Sequence, residues 1–356
     1  MEFPELGIYT LPGHSTDTSE LYDEVRSAEA LGLGSVWISE RFDVKDVPTC
    51  AGAAAAITRE IHIGTAATNH FIRHPQVTAN FGSTMQRLSH GRFALGLARG
   101  VGIRSQMMGL RNASNVELAD IAGILRRLWR GERVVGHQGP AGSFPHLYIG
   151  DWFCERIPLL VCAFGRRSLG FVGSVFDGVI LHTFMSDAAV ERAVALVRRG
   201  AEEAGRDPKQ VKVWSVLATG SNLSEEKELR YLTARMATYL QAPGYGELLV
   251  DINEWDPELL KRFRSAEVVR TMPGGIDQVA SLAQLREIRE LIPEHWLPAA
   301  TGTPEGCAQR FVDQFRAGAH GIIVHACSPQ ELAPILTAYE KVRPAERFQG
   351  RSGCPA

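Results

Sequence analysis

The sequence predicts a (β/α)8 barrel with a helical insertion after its seventh strand. Three observations point there. Eight short runs, most of them dense in Val, Ile, Leu, Phe or Trp, alternate with stretches of helical spacing, the signature of parallel βα units. The runs lack a clean apolar-polar alternation, as strands covered on both faces do. No GxGxxG follows the first run, which disfavours an open doubly wound sheet.

The expected strands are 6–10, 35–39, 62–68, 93–98, 158–162, 178–181, 211–217 and 321–325. Between them run apolar stripes at helical spacing. Leu21, Val25, Ala28 and Leu31 form the first, with Asp17 and Glu20 as its capping pair. Val77, Phe81, Met85 and Leu88 form a second after Pro75, and Leu118, Ile121, Leu125 and Leu128 a third. Val190, Val194 and Val197 belong to another. Thr303-Pro304 and Ser328-Pro329-Gln330-Glu331 place a cap and a proline at the start of the last two helices. The repeat is uneven twice. We expect one barrel domain over 1–346, with insertions at about 132–155 and 221–300 and a frayed tail at 347–356. The first insertion has room for a small hairpin from Val134-Val135 and Leu147-Tyr148-Ile149. The second is expected to be helical and to lie over the barrel mouth.

Composition excludes several classes. With 22% charged and 45% hydrophobic residues over 356, this is an ordinary soluble globular chain. A net charge of −2 argues against nucleic-acid binding. No apolar run approaches the roughly 18 residues of a membrane span, and the acidic N-terminus does not resemble a signal peptide. The six cysteines include no CxxC pair and read as reduced thiols, so a cytoplasmic location is expected.

In such a barrel the chemistry sits at the C-terminal ends of the strands. There the sequence places Tyr9-Thr10 with Pro12-Gly13-His14 beyond, Glu40-Arg41, Thr68-Asn69-His70, Ala98-Arg99-Gly100, Phe164-Gly165-Arg166-Arg167, His182-Thr183, Thr219 and His325. Glu40 is the sole carboxylate among them, so a paired-carboxylate glycosidase is unsupported. Gly165-Arg166-Arg167-Ser168 before a short helix fits an anion cradle, or equally a plain βα turn with surface arginines. His62, His70 and His74 invite a metal, but His62 starts its strand at the far end and no carboxylate lies nearby, so none is expected. His182 reads as a substrate group or a satisfied core histidine. His325 reads as a packing or capping residue, and Trp37 as core.

Four segments carry a family resemblance. They are Ile63-Gly64-Thr65-Ala66-Ala67-Thr68-Asn69-His70-Phe71-Ile72-Arg73-His74-Pro75, Leu88 through Gly100, Phe164-Gly165-Arg166-Arg167 followed by Phe176-Asp177-Gly178-Val179-Ile180, and Trp37-Ile38-Ser39-Glu40-Arg41. Together they resemble the luciferase-like oxidoreductases, in particular the coenzyme F420-dependent branch, over nearly the whole chain. The resemblance implies the same barrel. It implies a non-prolyl cis peptide at Ala66–Ala67 supporting a deazaflavin ring, with Thr68 and Asn69 hydrogen-bonding the cofactor. It places Ala98, Arg99 and Gly100 beside the ribityl-phosphate arm, and Phe164, Gly165 and Arg166 in the phosphate loop.

Two departures limit what carries over. Sugar-phosphate dehydrogenases of this branch have a histidine where Arg41 stands and an acid where Val101 stands, so their acid/base pair is missing. The expectation is therefore hydride transfer between the deazaflavin C5 and a small organic substrate under the insertion. Arg41 would steady negative charge or orient a carbonyl, and His70 or His182 would exchange the proton. The alternatives are an FMN-dependent luciferase-like monooxygenase, a non-catalytic F420- or flavin-binding protein, and, last, a metal-dependent barrel hydrolase. A homodimer is expected by analogy.

Overall fold

The computed structural model describes residues 1–356 apart from 12–14, 16 and 101 and the side chains of 103 and 104. Pro12, Gly13, His14 and Val101 thus lie outside the described residues. The strands are β1 (Phe3–Tyr9), β2 (Leu33–Ile38), β3 (His62–Thr65), β4 (Phe93–Ala98), β5 (Leu159–Cys162), β6 (Gly178–Ile180), β7 (Lys212–Ser221) and β8 (Gly321–His325). All pair in parallel with their neighbours, and β8 pairs with β1, so the sheet closes into an eight-stranded barrel. Helices α1 (Glu20–Ala30), α2 (Val47–Ile57), α3 (Pro75–Leu88), α4 (Asn115–Trp129), α5 (Arg166–Val175), α6 (Asp187–Glu203), α7 (Pro304–Arg316) and α8 (Pro329–Val342) follow the strands in order.

Two indoles fill the barrel's interior. Trp37 and Trp214 lie 5.3 Å apart, both fully buried, with Leu160, Ile180 and Ile323 around them. Burying an indole removes on the order of 200 Å² from water, an upper estimate of about 5 kcal/mol each. Glycine makes room for Trp37: a Cβ at Gly64 would sit 2.5 Å from its ring, and one at Gly7 2.6 Å from its Nε1.

The helix caps at Thr303 and Ser328 form as expected, the latter as a full capping box. Two helix expectations fail. Asp17 does not cap α1. Its carboxylate instead accepts from the Ser19 N–H and hydroxyl, and the helix begins at Glu20. In α3 the stripe fails at its two ends: Met85 is buried and Phe81 packs 5.2 Å from Phe93, but Val77 and Leu88 are over half exposed, and Thr78, Ala79 and Gly82 take the buried places instead. The reason is close packing of small residues. Trp129 of α4 presses on Gly82 and donates its Nε1–H to Ala79 O at 3.1 Å.

Strands Val134–Gly139 and Gly142–Leu147 form an antiparallel hairpin between α4 and β5. Between β7 and α7 the chain builds helices including Ala234–Gln241, Tyr245–Asn253, Pro257–Ser265 and Leu282–Leu291 around an apolar cluster of their own. Residues 347–356, expected to fray, pack instead. Phe348 is buried against Phe315, and Pro355 O accepts the otherwise orphaned Trp214 Nε1–H at 2.8 Å. The indole's need for an acceptor gives this segment a fixed seat.

Candidate active site

The end of β3 is built around a bulge. The Ala66–Ala67 peptide bond is cis, as the resemblance implied. Ala66 N–H donates to Ile38 O at 2.8 Å, and Glu40 N–H donates to Ala67 O at 3.0 Å, so β2 holds both sides of it. Beyond the bulge Thr68 and Asn69 re-enter the sheet against Leu97 and Ala98.

Glu40 is no acid catalyst here. It accepts from the Thr68 hydroxyl (2.7 Å), from Arg73 (2.7 Å) and from Val47 N–H (3.2 Å), in a nearly buried ion pair. Arg73 also donates to the Thr68 oxygen at 2.7 Å. The hydroxyl's proton and one lone pair are therefore committed, which leaves Thr68 one lone pair with which to accept from a ligand. Asn69 has the opposite character. Its Oδ1 accepts from Phe71 N–H at 2.9 Å, which fixes the amide orientation. Its buried Nδ2 has no partner among the described residues. His70 follows, 5% exposed, with Nε2 likewise unpartnered. Burial lowers the His70 pKa to about 4, so the ring is neutral near pH 7.

After β4, Gly100 has φ +84°, and a Cβ there would lie 2.5 Å from Asn69 Nδ2 and 2.8 Å from Ser105 Oγ. Glycine thus keeps open the space that Asn69 faces. Arg99 is half-buried and has no hydrogen bond or ion pair among the described residues. Ala98 is half-buried beside it.

After β5, Gly165 stands at the start of α5 with no side chain capping the helix. The first N–H groups of that helix are the donors on which the sequence reading placed an anion cradle. The Arg166 side chain is not available to that site: it pairs with Asp251 (3.1 Å) and Glu254 (3.0 Å) of the insertion. Phe164 turns the other way, 4.6 Å from His182 and 5.1 Å from Tyr245.

Those last contacts open onto an aromatic wall. His182 lies 4.4 Å from Tyr239, and Tyr239 stacks on Tyr245 at 5.5 Å. His182 Nδ1 sits 2.7 Å from Thr183 O, and a carbonyl can only accept, so the proton is on Nδ1 and Nε2 keeps a bare lone pair. Burial lowers the His182 pKa to about 4. Across the mouth, Tyr9 meets His325 at 5.2 Å, and His325 Nδ1 is buried without a partner among the described residues.

Arg41 completes the ring. A tight turn with Lys45 holds its backbone, and its half-buried guanidinium has no hydrogen bond or ion pair among the described residues. Burial, and then the nearby Arg235, lower its pKa. Arg235 is buried and pairs with Asp277 at 3.0 Å. The strand-end rule placed Arg41, His70, His182 and the three loops at one end of the barrel, where the structure has them. It missed Tyr239, Tyr245 and Arg235, which the insertion brings in, and the structural use of Arg73.

At the strand C-termini this chain gathers buried polar atoms without partners among the described residues, as a ligand-binding barrel does. Its family is also defined: residues 5–321 match the luciferase-like monooxygenases, and the chain belongs to that family. A 5,10-methylenetetrahydromethanopterin reductase of Methanolobus tindarius is 31% identical over 194 residues, covering 52% of this chain and 56% of the relative. An F420-dependent glucose-6-phosphate dehydrogenase of Nakamurella multipartita is 29% identical over 202 residues, covering 53% and 59%. The aligned region thus spans a little over half the length of these curated relatives. Among solved structures, the F420-dependent tetrahydromethanopterin reductase of Methanopyrus kandleri superposes with TM-score 0.76 at 19% identity, over 94% of this chain and 97% of that one. An FMN-bound oxygenating constituent of 3,6-diketocamphane monooxygenase from Pseudomonas putida gives 0.65 at 16%, over 98% of each. These likenesses show the fold.

Proposed function

We propose that the chain is an F420-dependent oxidoreductase that moves a hydride between the deazaflavin C5 and a small organic substrate. The observation that carries this reading is the matched edge at the end of β3. Thr68 has only a lone pair to offer, and beside it Asn69 Nδ2 has only a donor. A pyrimidine-type ring edge, with an N–H next to a carbonyl, complements that pair, and deazaflavin and flavin both present one. Buried polar atoms without partners are costly, so the orphaned Asn69 Nδ2 marks where a ligand supplies an acceptor, and the orphaned His70 Nε2 marks a second polar contact beside it. The F420-dependent names of the curated relatives support the same cofactor.

When bound, F420 supplies the two-electron hydride chemistry. The chain's own residues do the rest. Ala66 and Ala67 keep side chains small where the ring lies. Ala98 and Gly100 leave room for the arm, and the uncapped N–H groups following Gly165 hold the phosphate, with Arg99 adding charge. Phe164 separates that arm from the aromatic wall. Arg41 orients the substrate's oxygen and steadies charge on it. His182 Nε2 takes the substrate's proton in the oxidative direction and returns it in the reductive one. His70 backs the cofactor edge. We propose a homodimer, to be read by light scattering.

The test is a parallel titration of the purified protein with F420 and with FMN, followed by fluorescence. Saturable F420 binding with FMN at least tenfold weaker is expected. Tight FMN binding with substrate-dependent oxygen uptake, and no F420 binding, would move the chain to the monooxygenase reading.

A further inference from the structure

The substrate side of the cleft carries more positive charge than its own carboxylates answer. Arg41 has no partner among the described residues, and Arg235 stands near it with its charge matched by Asp277. Lys45 is buried below, and its Nζ donates to two backbone carbonyls, Thr10 O and Leu11 O, rather than to a carboxylate. Three cations, Arg41, Lys45 and Arg235, are answered by two carboxylates, Glu24 near Lys45 and Asp277 near the two arginines, so the cleft keeps a surplus of positive charge that favours an anion. The facing wall is flat and aromatic, from the stacked Tyr239 and Tyr245 to His182. Tyr239 is stacked on Tyr245 and has the Arg235 guanidinium 5.8 Å over its ring, so this wall presents aromatic edges and the outer face of the stack, suited to a flat apolar body.

We propose that this cleft takes an organic carboxylate with a flat, unsaturated body, the carboxylate on Arg41 and the body against Tyr239 and Tyr245. The proposal rests on the hydride-transfer site above for its location, and it deepens that reading by naming the substrate class. On this proposal Arg41 orients the substrate through its carboxylate, in place of the reacting oxygen: a planar guanidinium matches a carboxylate in two parallel hydrogen bonds, which a lysine cannot reproduce. Arg235 is held by Asp277 and lies 5.8 Å over the Tyr239 ring, which leaves Arg41 as the cation free to take the carboxylate.

The test is calorimetric titration with benzoate, benzamide and inorganic phosphate, on the protein alone and with F420 added. Benzoate is expected to bind at least tenfold tighter than benzamide and tighter than phosphate. Arg41→Ala should remove at least tenfold of the benzoate affinity, and Arg41→Lys should recover only part of it. Benzoate no better than benzamide, no binding of either, phosphate binding tightest, or an unaffected Arg41→Ala each overturns the proposal. The titration without F420 keeps this result separate: benzoate binding with no F420 binding would sink the cofactor reading alone.

Discussion

Replacing Glu40 by Ala removes one carboxylate that serves three donors: the Arg73 guanidinium, the Thr68 hydroxyl and the Val47 N–H. Breaking a buried ion pair by deleting one partner costs about 3–5 kcal/mol, because the other charge is stranded. Arg73 is not wholly stranded, since it keeps Asp46 at 2.9 Å, but that carboxylate is over half exposed and is worth at most about 1 kcal/mol. The balance is a loss of about 3 kcal/mol in unfolding free energy. The change also frees the Thr68 hydroxyl to rotate. Losing one oriented neutral hydrogen bond to a ligand, at about 0.5–1.5 kcal/mol, weakens F420 binding by roughly two- to tenfold. Urea unfolding followed by far-UV circular dichroism reads the first quantity, and F420 fluorescence titration the second. Glu40→Gln, which keeps an acceptor but not the charge, should fall between wild type and Ala in both. If Glu40→Ala lost less than 1 kcal/mol and kept F420 affinity within twofold, the claim that Glu40 aligns the β3 edge would fail.

Gly100→Ala sets a methyl 2.5 Å from Asn69 Nδ2 at a positive φ, so F420 affinity should fall at least tenfold in the same titration. Arg41→Ala and His182→Ala should each lower turnover at least tenfold while F420 affinity stays within about twofold; unchanged turnover in both would remove their assigned roles. His70 carries a pH signature. Its folded pKa of about 4 lies below the unfolded value near 6.5, so between those values the unfolded chain binds the extra proton. Stability therefore falls as pH drops through this window and levels off below it, with His70 contributing on the order of 3 kcal/mol. Urea midpoints at pH 7 and pH 4.5 should differ less in His70→Gln than in wild type.

The barrel was legible because its strands are fully buried and each helix carries its own apolar face. Strands 93–98 and 321–325 match to the residue for that reason. The α3 stripe misled because hydrophobic spacing marks large residues, whereas this interface packs an indole onto Gly82. The tail misled because nothing in its composition reveals that Trp214 lacks an acceptor. At the site, residues within two or three positions of a strand end were readable. Tyr239, Tyr245 and Arg235 were not, since the insertion folds around its own apolar cluster and its placement over the mouth is a tertiary fact. Arg166 was half right: the sequence showed a cation beside a glycine, but not that insertion carboxylates would claim it.

That last arrangement has a thermodynamic consequence. The helix Tyr245–Asn253 holds Arg166 through Asp251 and carries Tyr245, while Asn253 bonds Phe184 O and Ser186 N–H just after β6. One short helix therefore joins the proposed phosphate loop at one end to the substrate's aromatic wall at the other. Anything that firms up the loop also firms up the wall, and the coupling runs equally in both directions. Under the proposed function, occupancy of the cofactor arm and affinity for substrate would be linked quantities, joined by about two and a half turns of the insertion.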